Sequence, residues 1–407
     1  MAIETLADIV RVHGAERADK PMLTFEGRTI TYADMDRRSN QVAKALAAAG
    51  VGKDDRVAFI DKNVPEYFEV TFGAAKLDAV TVAVNWRLAP REIAQIVNDA
   101  QAKVLVVGTD FVPQVGQIEA QLDTVTTIVV NGDHERWPSY TSWADDDQAD
   151  DPAVRSAPDS VALQLYTSGT TGLPKGVMLT NDNLFGLLSG ATSEWGFRAD
   201  MVNLGVMPLF HIAGSGWDIA VMYMGGHTVL QRDVDPSAIL RAIPEQRVTH
   251  TIFVPAVLQF LLMTPGIDGT DLSSLETIVY GASPITDKVL TKAMATFGCD
   301  SSRSTASPRP PERSPSSTPG TTTPRGTPTC CDPAASPCQA SSCASSARRE
   351  RTHPQVRSAR CGSDPARTWP GTGASRRRRQ PPRPRTAGSR RATPASSRTA
   401  TSTSTTA

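Results

Sequence analysis

Nowhere in the 407 residues do eighteen apolar side chains follow one another, so no membrane-spanning helix is predicted. The start, Met1-Ala-Ile-Glu-Thr-Leu, has neither the positive charge nor the apolar run of a secretory signal, and a cytoplasmic protein is the expectation. Cysteine is scarce where a core would form. Cys299 stands alone in the first 300 residues, and Cys330, Cys331, Cys338, Cys343 and Cys361 lie beyond them. None forms a CxxC pair or has the histidine spacing of a structural zinc site, so no metal centre is predicted from them. A body without an even set of cysteines suits a reducing compartment better than a disulfide scaffold.

From Ser301 onward leucine, isoleucine, phenylalanine, tyrosine, methionine, asparagine and lysine are all missing. So little is left to bury that residues 301–407 are predicted to be a disordered Arg/Pro/Ser-rich tail. Residues 302–407 hold 19 arginines and four acidic residues, a net charge of +15 that leaves the remainder at −15 although the whole chain is neutral. The run Arg376–Arg379 would suit nucleic acid or an anionic membrane surface. The stretch around it from Gly373 has no aromatic side chain for a base to stack on, and no nucleic-acid partner is expected. Peripheral contact with a membrane is compatible with the sequence.

The length admits two or more domains, and the first 300 residues alternate between the periods of strand and helix. That pattern predicts an α/β fold, a parallel sheet covered by helices. Arg56–Ile60 and Lys103–Val107 read as buried strands. Tyr32–Ala49 reads as an amphipathic helix with Met35, Val42, Ala43, Leu46 and Ala47 on one face, closed by Gly50. A helix near Pro65–Leu77 leads to a strand at Ala79–Val84. Residues 1–133 are thus a first α/β subdomain, and the acidic stretch 134–160 is a surface connection. Residues 161–300 form a second α/β subdomain, with strands at Val161–Tyr166, Thr251–Val254 and Thr277–Tyr280 and helices at Pro255–Met263 and Pro284–Phe297.

The first of those strands runs into Tyr166-Thr-Ser-Gly-Thr-Thr-Gly-Leu-Pro-Lys-Gly-Val177. Gly169 and Gly172 let backbone N–H groups approach phosphate oxygens and permit positive φ. The hydroxyls of Thr167, Ser168, Thr170 and Thr171 add donors, and Lys175 adds a point charge. It is not a Walker A loop, which needs glycine before the lysine and Ser or Thr after it, whereas Lys175 stands between Pro174 and Gly176.

This run resembles the signature loop of the acyl-adenylate-forming (AMP-binding) superfamily, which includes acyl-CoA synthetases, aryl-CoA ligases, luciferases and peptide-synthetase adenylation domains. Further matches follow in order. Met207-Pro-Leu-Phe-His-Ile-Ala-Gly214 resembles the segment whose histidine, here His211, stands beside the carboxylate end of the acyl pocket. Val254–Leu262 resembles the helix lining the acyl tunnel, and Gly281-Ala282-Ser283-Pro284 the short loop that packs on adenine. The resemblance implies an incomplete N-terminal adenylation domain, with Lys175 and Thr170 as catalytic groups and ATP, Mg2+ and CoA as cofactors. His211, Gly214, Trp217 and Val254 would form the substrate pocket. With Trp217 and an apolar Val254–Leu262 stretch, and no charged pocket residue evident, a medium- to long-chain fatty acid is the expected carboxylic acid substrate. An aryl-CoA ligase is the alternative within the family.

The resemblance also implies a Tyr-Gly-x-Thr-Glu segment whose glutamate holds magnesium, and a small C-terminal domain bearing a lysine. Neither is found after Asp300. Suitable codons for Phe-Ile-Gln-Val-Tyr-Gly-Leu-Thr-Glu-Thr-Thr-Gly-Ala-Ile-Thr-Gln-Leu, stripped of their first base, give Ser301 to Ser317 as they stand. A shifted reading frame is therefore the expected origin of the tail. An inactive remnant, or a binder acting through its basic tail, are the readings from other functional classes.

Overall fold

Short runs of valine, isoleucine, alanine and leucine become strands, and amphipathic stretches become the helices between them. The computed structural model describes residues 2–167, 174–281 and 283–304 (side chains of 187–193 and 300–304 excepted). The first half carries β1 (Pro21–Phe25), β2 (Arg28–Thr31), β3 (Arg56–Ile60), β4 (Val80–Ala83), β5 (Ala102–Gly108) and β6 (Thr127–Asn131). Then come β7 (Val161–Thr167), β8 (Lys175–Thr180), β9 (Val202–Gly205), β10 (His227–Leu230), β11 (His250–Phe253), β12 (Thr277–Gly281) and β13 (Asp300–Ser304).

These strands build two sheets, ordered β6-β5-β3-β4-β7-β8 and β13-β12-β11-β9-β10-β1-β2. Hairpin pairs β1–β2 and β7–β8 are antiparallel; every other pairing is parallel. Alternate residues of the six-stranded sheet face opposite cores. Val57, Phe59, Val104 and Val106 join one apolar cluster, while Ala58, Ile60, Leu105 and Val107 join another. Burial on both faces is why these strands read as continuous apolar runs. A third cluster, with Leu204, Val229, Ile252 and Val279, packs on the seven-stranded sheet.

Sheet membership crosses the boundaries drawn from sequence at 133 and 161. Strands β1 and β2 leave the N-terminal segment for the seven-stranded sheet, and β7 and β8 complete the six-stranded one. The acidic stretch after Asp133 therefore links two strands of one sheet rather than two subdomains. It is also anchored, because Trp137 and Tyr140 are buried and the Tyr140 hydroxyl donates to Glu69 at 3.0 Å.

Strand pairing also continues past residue 300. Ser301–Ser304 belong to β13, with Ser301 opposite Ile278 and Arg303 opposite Tyr280. Strand pairing uses backbone N–H and C=O groups, so it does not require apolar side chains. The rest of the Arg/Pro/Ser-rich segment lies outside the described residues.

Candidate active site

Parallel strands gather their C-terminal ends on one edge, the edge at which open α/β sheets bind ligands. In the six-stranded sheet Ala83 of β4 lies opposite Leu165 of β7, so Trp86 and Arg87 follow β4 toward the edge where β7 ends in Thr167. In the seven-stranded sheet Phe253 of β11 lies opposite Tyr280 of β12. Val254 and Gly281 are consequently neighbours at the ends of adjacent strands.

Strand β7 turns back as β8 with Thr167 opposite Lys175, and both side chains are exposed. A hydroxyl and an ammonium facing solvent at the base of a loop of small residues suit phosphate oxygens. Ser168, Gly169, Thr170, Thr171 and Gly172 lie outside the described residues. Gly281 is buried at the end of β12, and Ser283 and Pro284 are exposed just beyond; Ala282 lies outside the described residues. Among the described residues no three carboxylate, imidazole or thiol groups gather as a metal site, and no step is derived through magnesium.

A cavity of about 550 Å³ opens beside the segment after β9, within the size range of small-molecule sites. Met207, Pro208, Val234, Val254, Val257 and Phe260 supply apolar wall, and Arg87, Phe210 and His211 also line it. The structure thus brings His211 and Val254 to one cavity.

His211 caps the helix Ile212–Tyr223, where its Nδ1 accepts from the Ala213 N–H at 3.1 Å. A ring accepting at Nδ1 carries its proton on Nε2 when neutral. Surrounding protein lowers the imidazole pKa through lost hydration, although the side chain still reaches solvent. Gly214 belongs to the first turn of the same helix. A Cβ there would meet the carbonyl oxygens of Pro208 and Met207 at 2.3 and 2.6 Å, so only glycine lets the turn approach the cavity wall this closely.

Trp217 does not line the cavity. Its ring is buried against Phe197 and Trp195, with centroids 4.7 and 5.4 Å away, and its Nε1–H donates to Asn203 Oδ1 at 2.7 Å. An indole N–H in a core needs an acceptor, and Asn203 of β9 provides one. Asn203 in turn donates to Asp218 Oδ1 at 2.8 Å. Burial pushes the Asp218 carboxyl up to about 7, partly opposed by that hydrogen bond, and Oδ2 has no partner among the described residues.

Two contributors escaped the sequence reading. Asn63, just after β3, is buried and donates to the carbonyls of Met207 and Gln231, both at 3.1 Å, while accepting from the Leu209 N–H at 3.1 Å. It ties the cavity segment of one sheet to a strand end of the other. Arg87 is the charged cavity residue that sequence reasoning found no sign of. Its guanidinium lies 4.7 Å from the Trp86 ring centre and 5.7 Å from that of Phe210. The sequence signal for either is only its place after an apolar strand.

Residues 10–305 match the family of AMP-binding enzymes. A fatty acid–[acyl-carrier-protein] ligase, ScoC of Streptomyces coeruleorubidus, is 35% identical over 303 residues, 73% of this chain and 57% of its own length. A feruloyl-CoA synthase of an Amycolatopsis species is 35% identical over 260 residues, 64% of this chain and 50% of its own. The inhibitor-bound N-terminal domain of FACL13 from Mycobacterium tuberculosis superposes with a TM-score of 0.70 at 29% identity, covering 75% of this chain and 76% of that one. The chain spans about half the length of the curated relatives it matches. No helix among the described residues is long and apolar enough to cross a membrane. Its two-sheet α/β fold is that of the N-terminal adenylation domain of acyl-CoA ligases, and by the extent of the match this chain belongs to the family of AMP-binding enzymes.

Proposed function

We propose that this chain carries the acid- and nucleotide-binding part of an enzyme that activates a medium- to long-chain fatty acid with ATP and passes the acyl group to CoA. The apolar cavity beside His211 carries the reading, because among the described residues its walls offer hydrocarbon, with polar groups where Arg87 and His211 stand. The carboxylate of a bound acid would sit near the His211 Nε2–H, with its chain among Val254, Val257 and Phe260. Thr167 and Lys175 would hold phosphate oxygens at the β7–β8 hairpin. These residues bind and orient, and positioning of that kind supplies much of the rate in such transfers. ATP, when bound, would offer its α-phosphorus to the carboxylate with loss of pyrophosphate, and the AMP thereby joined to the acyl group would be the leaving group that the CoA thiol displaces.

The aryl alternative has support from the feruloyl-CoA synthase, but the described lining is mostly hydrocarbon, with Arg87 and His211 its polar groups, which favours an alkyl chain. A second reading concerns the acceptor alone. The 35% identity to a fatty acid–[acyl-carrier-protein] ligase over 303 residues favours a carrier-protein thiol as a substitute for CoA. Cytoplasmic placement and freedom from nucleic acid stay part of the proposal.

The family match ends at residue 305 of 407, which supports a change of reading frame near Asp300. The test is acid-dependent exchange of labelled pyrophosphate into ATP, run on this chain and on a version with the frame restored after Asp300. Exchange with decanoate by the restored protein alone is the expected result. Exchange by neither protein, with any fatty acid, overturns the activity; exchange by both overturns the claim that the frame change removed it.

A further inference from the structure

We propose that Arg87 is a specificity residue that grips the acid's carboxylate at the cavity mouth, so that the site selects anions over neutral amphiphiles of equal length. The inference rests on the fatty-acid reading above and adds to it a residue from the other sheet. Four observations carry it.

The guanidinium lines the cavity, and its charge is not answered by any carboxylate among the described residues. The acids nearest in topology are already committed: Asp61, after β3, and Asp110, after β5, both lie within 4 Å of Arg232. The cation is also held in place. It stacks over Trp86 and faces Phe210, and the Arg87 backbone N–H donates to Asn85 Oδ1 at 3.0 Å. Trp86 itself packs on Phe111 and Phe210 at 5.7 and 6.2 Å. A guanidinium on an aromatic face keeps its in-plane N–H groups free for a carboxylate. Finally, Arg87 is the one cation among the described lining residues, and the rest of them apart from His211 are apolar.

The chemistry that fits is a carboxylate head on a hydrocarbon chain. Arg87 donates to it in the fork geometry that suits two oxygens, and the chain occupies the wall formed by Val254, Val257 and Phe260. A primary alcohol fills the same volume but offers a single weak acceptor. The side chain is exposed, so solvent screening holds the effect to the lower end for a charge-assisted hydrogen bond, on the order of ten-fold in affinity.

The experiment is equilibrium binding of decanoate, decanol and ATP to the full chain by calorimetry, for the native protein, Arg87→Gln and Arg87→Lys. Decanoate is expected to bind roughly ten-fold more tightly than decanol, with the margin shrinking as salt rises. Arg87→Gln should bring decanoate down to the level of decanol and leave decanol and ATP unchanged. Arg87→Lys, which keeps the charge and loses the planar fork, should fall between.

If Arg87→Gln binds decanoate as the native chain does, the role of Arg87 is wrong while the acyl cavity stands. If the native chain binds neither decanoate nor decanol, the fatty-acid reading fails and takes this inference with it. If the substitution weakens ATP and spares decanoate, the guanidinium serves a phosphate and the proposal is overturned.

Discussion

Replacing Asp218 by asparagine should flatten the dependence of stability on pH, so that the difference between the two proteins changes as pH rises. The carboxyl is 1% exposed in the helix Ile212–Tyr223, and Asn203 gives it a single hydrogen bond. Burial holds its pKa near 7 against an ordinary value of 3.8. Between those values the folded chain keeps a proton that the unfolded chain has released. Stability falls with rising pH wherever the folded state binds more protons. The contribution is therefore complete below about pH 4 and gone above about pH 7. At about 1.4 kcal/mol per pH unit, that interval amounts to about 4 kcal/mol. The Asp218→Asn side chain can still accept from Asn203 but cannot ionise, so its slope over the same interval should vanish. Urea unfolding followed by tryptophan fluorescence, at several pH values from 4.5 to 7.5, gives the difference between the two proteins. Taking the difference removes the titration of remote groups such as His227, lowered to about 4 by burial. Parallel stability curves for the two proteins would show that Asp218 is hydrated or ionised in the fold, and would refute the reasoning.

Gly214→Ala puts a methyl group 2.3 Å from the Pro208 carbonyl oxygen, and backbone must shift to admit it. A loss of about 1–3 kcal/mol is expected, together with weaker decanoate binding; a native melting temperature would contradict the close approach. Trp217→Phe removes the donor to Asn203 Oδ1 and should destabilise by about 1–3 kcal/mol while leaving decanoate affinity unaltered. Lost affinity at native stability would return Trp217 to the pocket.

Local periodicity revealed elements well and their partners poorly. The helix read as Tyr32–Ala49 forms as Tyr32–Ala48, begun by Thr31 and Asp34 in a reciprocal cap and followed by Gly50 at φ +80°. Met35, Val42, Ala43 and Leu46 are buried as anticipated, but Ala47 is exposed. At 100° per residue Ala47 lies about 120° round the helix from Met35, outside the buried stripe. The helix placed at Pro284–Phe297 starts at Asp287, because Thr286 supplies the cap by accepting from the Val289 N–H. Pairing is a different matter. Nothing local in Pro21–Phe25 says that it lies beside His227–Leu230, since such pairing depends on the sheet as a whole.

The same division runs through the site. His211 and Val254, which line the cavity, each sit in a short motif with its own signal. Arg87 does not, since it reaches the cavity only through the placement of β4 beside β7 and the meeting of that sheet with the other. Asn63 makes this meeting specific. Its amide satisfies Met207 and Gln231 carbonyls and its oxygen takes the Leu209 N–H, so the segment ahead of His211 is fixed by a residue nearly 150 positions earlier (|i−j| of 146 to Leu209). The Met207 and Leu209 groups would otherwise be buried unpaired, at about 1–3 kcal/mol each. A wall held this way gives the cavity one shape, set by both sheets together. On the proposed reading, the cation from one sheet and the imidazole from the other would meet a single ligand in that cavity.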